Sequence, residues 1–180
     1  VARYGSMRWK AGSVDAVARR IAARPDAPPV YAYEFAWGAP DETGHSTMPR
    51  SWGRRLGAFH SLEIPFFLGH ETVDAALHHL VFTCANRPGR LALTDAMMRY
   101  AASFVRTGDP GRPGPGLPAW QPWSATVGGP TCIVLDADAR AVRLAMSEAE
   151  LTEDRVFEAL DRELSPELAA KTREYLASSA

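Results

Sequence analysis

Cysteine is nearly absent: two in 180 residues, Cys84 and Cys132, give no disulfide framework and read as ordinary buried thiols. Lysine is as scarce. Of the 20 basic residues only Lys10 and Lys171 are lysine, an arginine bias that carries no functional weight. No stretch approaches the roughly 18 unbroken apolar residues of a membrane-spanning helix. Neither sign of charge is in excess: 20 basic residues meet 21 acidic ones for a formal net charge of -1. That excludes the basic stripe by which proteins hold nucleic-acid phosphates. What is present is apolar mass, 46% hydrophobic residues against 23% charged. Burial on that scale offsets chain entropy in one real core, so a disordered chain is excluded as well.

The pattern along the chain is mostly helical. Ser13 caps a helix running to Arg24, with Asp15 in its first turn and an apolar stripe of Val14, Val17, Ala18 and Ile21 that stops at Pro25. Val30 to Trp37 reads as a strand, because Tyr31, Tyr33, Phe35 and Trp37 alternate on one face and small residues occupy the other. Residues 38–55 are polar and Gly/Pro-rich, predicting a long loop. Helices are predicted from Glu71 to about Cys84 and from about Leu91 to Thr107, the second ended by Gly108-Asp109-Pro110. Residues 109–130 hold six prolines and read as coil. Thr131–Leu135 and Ala141–Leu144 form a predicted hairpin. Ser147-Glu148-Ala149-Glu150 is a capping-box pattern ahead of a helix carrying Val156, Phe157, Leu160 and Leu164. Ser165-Pro166-Glu167 opens a last helix.

One strand and one hairpin do not close a sheet, so the strand at 30–37 needs neighbours that these residues do not supply. The chain also opens Val1-Ala2-Arg3-Tyr4, without an initiator methionine, close to an ordered element. Both features lead us to expect a truncated amino terminus, and the helical pattern that fades through Ala177-Ser178-Ser179-Ala180 a genuine carboxyl terminus. The fold class expected is α/β, an incomplete sheet with flanking helices and a terminal hairpin.

Five histidines are the candidate chemistry: His45, His60, His70, His78 and His79. His45 lies in a polar loop. Adjacent helical residues diverge by about 100°, so His78 and His79 cannot easily share a metal, and His70 is too far from His78 for a helical zinc pair. No metal site is expected. His60 differs, because the surrounding apolar residues would dry its ring and tune its proton affinity. On these residues alone a structural role and a catalytic one both stand.

Gly57-Ala58-Phe59-His60-Ser61-Leu62-Glu63-Ile64-Pro65-Phe66-Phe67-Leu68-Gly69 resembles the catalytic-histidine loop of the type-B carboxylesterases, an α/β-hydrolase family that includes para-nitrobenzyl esterases and cholinesterases. Three further stretches resemble the family in the same order. These are Pro29–Phe35 before the loop, the helix from Met97 with its Gly108-Asp109-Pro110 turn, and Leu117–Trp123 followed by Ile133–Asp136. The resemblance implies that residues 1–180 are the C-terminal portion of an α/β-hydrolase and that His60 is the general base of a serine-histidine-acid triad. It also implies a small-molecule carboxylic ester as substrate and no cofactor. Gly111 stands where the family usually has Asn, a minor departure. A larger one is that the chain contains no Gly-x-Ser-x-Gly elbow and no His-Gly-Gly oxyanion motif. The serine and the acid would lie upstream of Val1, and these residues alone are expected to be inactive. Glu63, three residues after His60, reads as a structural hydrogen-bonded neighbour, and Glu34 as locally satisfied. The competing reading is a non-catalytic relative that serves in binding or adhesion.

Overall fold

The computed structural model describes residues 2–40, 43–73 and 77–178. In chain order it contains α1 (Ala2–Trp9), a π-helical turn (Lys10–Asp15), α2 (Ala16–Ala22), β1 (Tyr33–Phe35), α3 (Arg50–Arg55), α4 (Glu63–Leu68), α5 (His78–Val81), α6 (Arg87–Thr107), β2 (Cys132–Ala137), β3 (Val142–Ser147), α7 (Glu153–Glu163) and α8 (Pro166–Ser178). The residues group into two compact units, one of 33–121 with 132–147, the other of 1–32, 122–131 and 148–180.

The first unit carries the sheet, in the order β1-β2-β3. β1 runs parallel to β2, with Tyr33 opposite Ile133 and Phe35 opposite Leu135. β2 and β3 are the antiparallel hairpin, registered from Cys132 opposite Ser147 to Ala137 opposite Val142. β2 is the central strand, and Cys132, Ile133, Leu135 and Ala137 are wholly buried along it. Its near-continuous apolar run is what a strand covered on both faces requires. The predicted strand at 30–37 contracts to β1. At its start Val30 gives its carbonyl to the Trp123 N–H at 2.7 Å, not to a ladder. Beyond Phe35 a single bond, from Ala36 N–H to Leu135 O at 3.0 Å, continues the pairing.

The aromatic alternation of this segment does decide the packing. Phe35 meets Phe66 edge-on at 5.1 Å, Trp37 meets Phe66 at 5.1 Å, and Tyr33 meets Phe67 at 5.3 Å. The large face of the strand therefore lies on α4. Tyr33 continues to Trp120 and Trp120 to Tyr100, whose phenol donates to the Pro118 carbonyl at 2.6 Å.

α6 begins four residues earlier than its apolar pattern predicts. Pro88 tolerates the first turn, where its missing N–H is no loss. Gly89 is there because the β2–β3 turn lies on the helix: a Cβ at Gly89 would run into the Asp138 carbonyl oxygen and come within 3.0 Å of Ala139 and Arg140 backbone. The Gly89 N–H instead donates to Ala139 O at 3.1 Å. Gly108, at φ 75°, ends the helix as predicted.

Three other expectations are corrected. Residues 38–55 are not all loop, since α3 forms at Arg50–Arg55. The predicted 71–84 helix reduces to α5, with residues 74–76 outside the described residues. Its end is set by Asn86, wholly buried, whose amide nitrogen donates to Val81 O at 2.9 Å and Thr47 O at 3.1 Å and turns the chain. The cysteines differ: Cys132 is buried but Cys84 is exposed.

In the second unit Ser13 is no cap. It sits inside the π-helical turn, and helix precedes it from Ala2. Asp15 is fully buried, taking Lys10 Nζ at 2.6 Å and the Leu151 N–H at 2.7 Å. The capping box at 147–150 is not used either. Ser147 is taken by strand pairing, and Thr152 caps α7 by accepting the Arg155 N–H. α8 starts at Pro166 as predicted. Tyr4, Ala159, Leu160, Ala169 and Leu176 form this unit's apolar core.

Two outcomes follow. Gly89→Ala gains about 1 kcal/mol of helix propensity but meets fixed backbone. Overpacking of about 1–3 kcal/mol, at its upper end here because a carbonyl cannot rotate away, gives a net destabilisation on denaturant titration. Burial pushes the Tyr100 phenol up to about 12. The folded state thus holds a proton that the unfolded chain has already released, and its contribution is complete below pH 10 and lost as pH rises toward 12. Chemical denaturation across that window should show a decline that Tyr100→Phe reduces by on the order of 2 kcal/mol.

Candidate active site

His60 lies between β1 and α4 in the chain, on a tight turn. The Phe59 carbonyl accepts the Leu62 N–H at 3.2 Å, so His60 and Ser61 are the two central residues. Ser61 has φ 72° and is the one non-glycine residue at positive φ among the described residues. For an L-residue that conformation costs about 1–2 kcal/mol, and turns of this shape usually take glycine there. The turn is held from both sides. Before it, Gly57 at φ 54° donates its N–H to Gly53 O at 3.1 Å, at the end of α3. After it, Leu62 and Phe66 are each only 1% exposed. The residues α3 and α4 supply thus anchor the turn, and the imidazole of His60 is exposed, without a hydrogen bond to another described residue.

Glu63 opens α4, where a carboxylate suits the helix N-terminus. It makes no hydrogen bond with a described residue, contrary to expectation. Its charge faces the Tyr33 phenol, whose proton is held more tightly, chiefly through burial and then through Glu63. Glu34 is exposed on β1. α4 ends with Gly69 at φ 71°, and the His70 N–H caps Pro65 O at 2.8 Å, which leaves His70 exposed.

The other histidines are not gathered with His60. His45 is exposed. His78 and His79 do meet, edge to face with centroids 5.2 Å apart, so the divergence expected of helical neighbours is not observed on the four-residue α5. His78 also lies 5.9 Å from Phe82, part of the cluster of Trp37, Phe66 and Phe82 behind α4. Arg90, 4% exposed, stacks its guanidinium 4.1 Å from the Phe82 centroid. Among the described residues no group of three or more His, Cys, Asp or Glu is close enough to hold a metal ion. Ser61 is the feature that sequence reasoning missed, because nothing in the residue type announces a positive φ.

No protein-family model matches the sequence. Over 96 residues, 53% of this chain, it is 40% identical to carboxylesterase 5A of the dog, Canis lupus familiaris. A solved esterase from Clostridium hathewayi, described as able to hydrolyse aliphatic aromatic polyesters, is similar in fold, with a TM-score of 0.50 over 82% of this chain at 22% identity. Over those 96 residues the chain is related in sequence to a carboxylesterase. The chain spans 15% of the length of the dog protein and 23% of the Clostridium esterase. Its helices and three-stranded sheet agree with part of an α/β fold.

Phe66 touches Phe35, Trp37 and Phe82 at once and so carries the turn's anchorage. Phe66→Ala should cost about 3–5 kcal/mol, measured by urea unfolding of the chain.

Proposed function

We propose that residues 1–180 are the C-terminal portion of a serine carboxylesterase and that His60 is its general base. The observation that carries the reading is an exposed imidazole on an anchored, strained turn, in a chain 40% identical over 96 residues to a carboxylesterase. In that role His60 accepts the proton of a serine hydroxyl as the oxygen attacks the ester carbonyl. It then delivers the proton to the departing alkoxide, and afterwards draws a proton from the water that cleaves the acyl-serine. Imidazole suits this because its ordinary proton affinity lies near working pH.

The nucleophile and the acid come from outside these residues, since no Gly-x-Ser-x-Gly occurs within them. The acid holds the second ring nitrogen and fixes the tautomer. Exposure of His60 and the absence of a partner within the described residues accord with a ring whose partners lie elsewhere. The substrate class is a small carboxylic ester.

The test is hydrolysis of a para-nitrophenyl ester by the longer protein that carries this chain. His60→Ala should lower kcat by roughly 10⁴–10⁶-fold with circular dichroism unchanged, and residues 1–180 alone should stay at background. Full activity in His60→Ala overturns the assignment. Turnover by residues 1–180 alone overturns the shared triad, and a longer protein with no esterase activity supports the binding relative instead.

A further inference from the structure

We propose that Ser61 is a positioning residue for His60, acting through its backbone angle and not its hydroxyl. The inference rests on the reading of His60 as general base. Ser61 is exposed, and its side chain makes no hydrogen bond with a described residue, so the hydroxyl does not hold the turn in shape. Its φ of 72° is the unusual feature.

That angle has a definite consequence. Leu62 must stay in the core, and Phe66 one turn further on is equally buried. The chain leaving the turn is therefore fixed, as is the chain entering it through Gly57 and Gly53. Between two fixed ends, the rotation at Ser61 turns the peptide plane joining it to His60. Rotation of the Ser61 φ alone to negative values, with the other angles kept, would break the Phe59–Leu62 bond and swing either Leu62 out of the core or His60 away from its present direction. Burial decides against moving Leu62. The strain is thus retained at the residue that sets where the imidazole leaves the backbone, where misplacement by about 1 Å can cost on the order of 10²-fold in rate. Glycine would adopt the same angle without strain, whereas a β-branched residue resists it.

The experiment compares Ser61→Gly and Ser61→Val in the longer, active protein, with kcat and KM for a para-nitrophenyl ester measured well below the unfolding temperature. Ser61→Gly should keep kcat within about two-fold. Ser61→Val should lose at least about ten-fold in kcat with KM nearly unchanged. If Ser61→Val does not fold, Ser61→Thr replaces it and should lose at least about three-fold by the same logic. Unchanged kcat in the branched variant that folds overturns the proposal. So does an equal loss in Ser61→Gly, which would assign the effect to the hydroxyl. His60→Ala run alongside separates the two claims: activity without His60 removes the general base itself, whereas an inactive His60→Ala beside a fully active branched variant removes only the role of Ser61.

Discussion

The contact between the large face of β1 and the aromatic pair of α4 governs the rest of the sheet-bearing unit. Phe35 and Trp37 bracket Phe66, and Tyr33 takes Phe67. Aromatic side chains contribute through buried area and through edge-to-face geometry, which fixes orientation as well as distance. Because β1 is hydrogen-bonded to β2 and α4 is packed on β1, the residues between them form a closed excursion with both feet held. His60 stands on that excursion.

Rigidity of this kind is what the proton-transfer role proposed for His60 needs. A general base works only within hydrogen-bond reach of its donor, and a floppy loop would spend most of its time elsewhere. The structure supplies the stiffness with buried residues on either side of an exposed ring: Leu62 and Phe66 after it, Met48 and Trp37 before it. The polar segment ahead of α3 is also tied, through Ser46 Oγ donating to Gly38 O at 2.8 Å and accepting the Met48 N–H at 3.0 Å. The one non-glycine residue at positive φ among the described residues falls beside the imidazole.

What was legible in the sequence followed from periodicity and from residues with narrow conformational preferences. The aromatic alternation at 31–37 named the packing face, although not the strand's length. The hairpin was read correctly and proved longer at both strands. Gly108 and Pro166 marked helix ends because few other residues suit those positions. The failures came from tertiary demands that a local pattern does not contain. Ser13 and Ser147 look like caps, but one is inside a π-helical turn and the other is used by a strand. α3 needed Gly53 and Gly57 seen in their turns, not as loop punctuation. The start of α6 depended on a hairpin turn some fifty residues away that only Gly89 can accept. For the site, resemblance alone singles out His60; its exposure and the positive φ of its neighbour follow from the three-dimensional fold.

The central claim is that the His60 ring faces a serine nucleophile carried by another part of the protein. An experimental structure of the whole protein tests it most directly, through the distance from a His60 ring nitrogen to the hydroxyl oxygen of the serine that a fluorophosphonate labels. The account predicts hydrogen-bond reach, about 2.6–3.2 Å, with a carboxylate on the other ring nitrogen. A different histidine at that serine, with His60 turned to solvent, would contradict it.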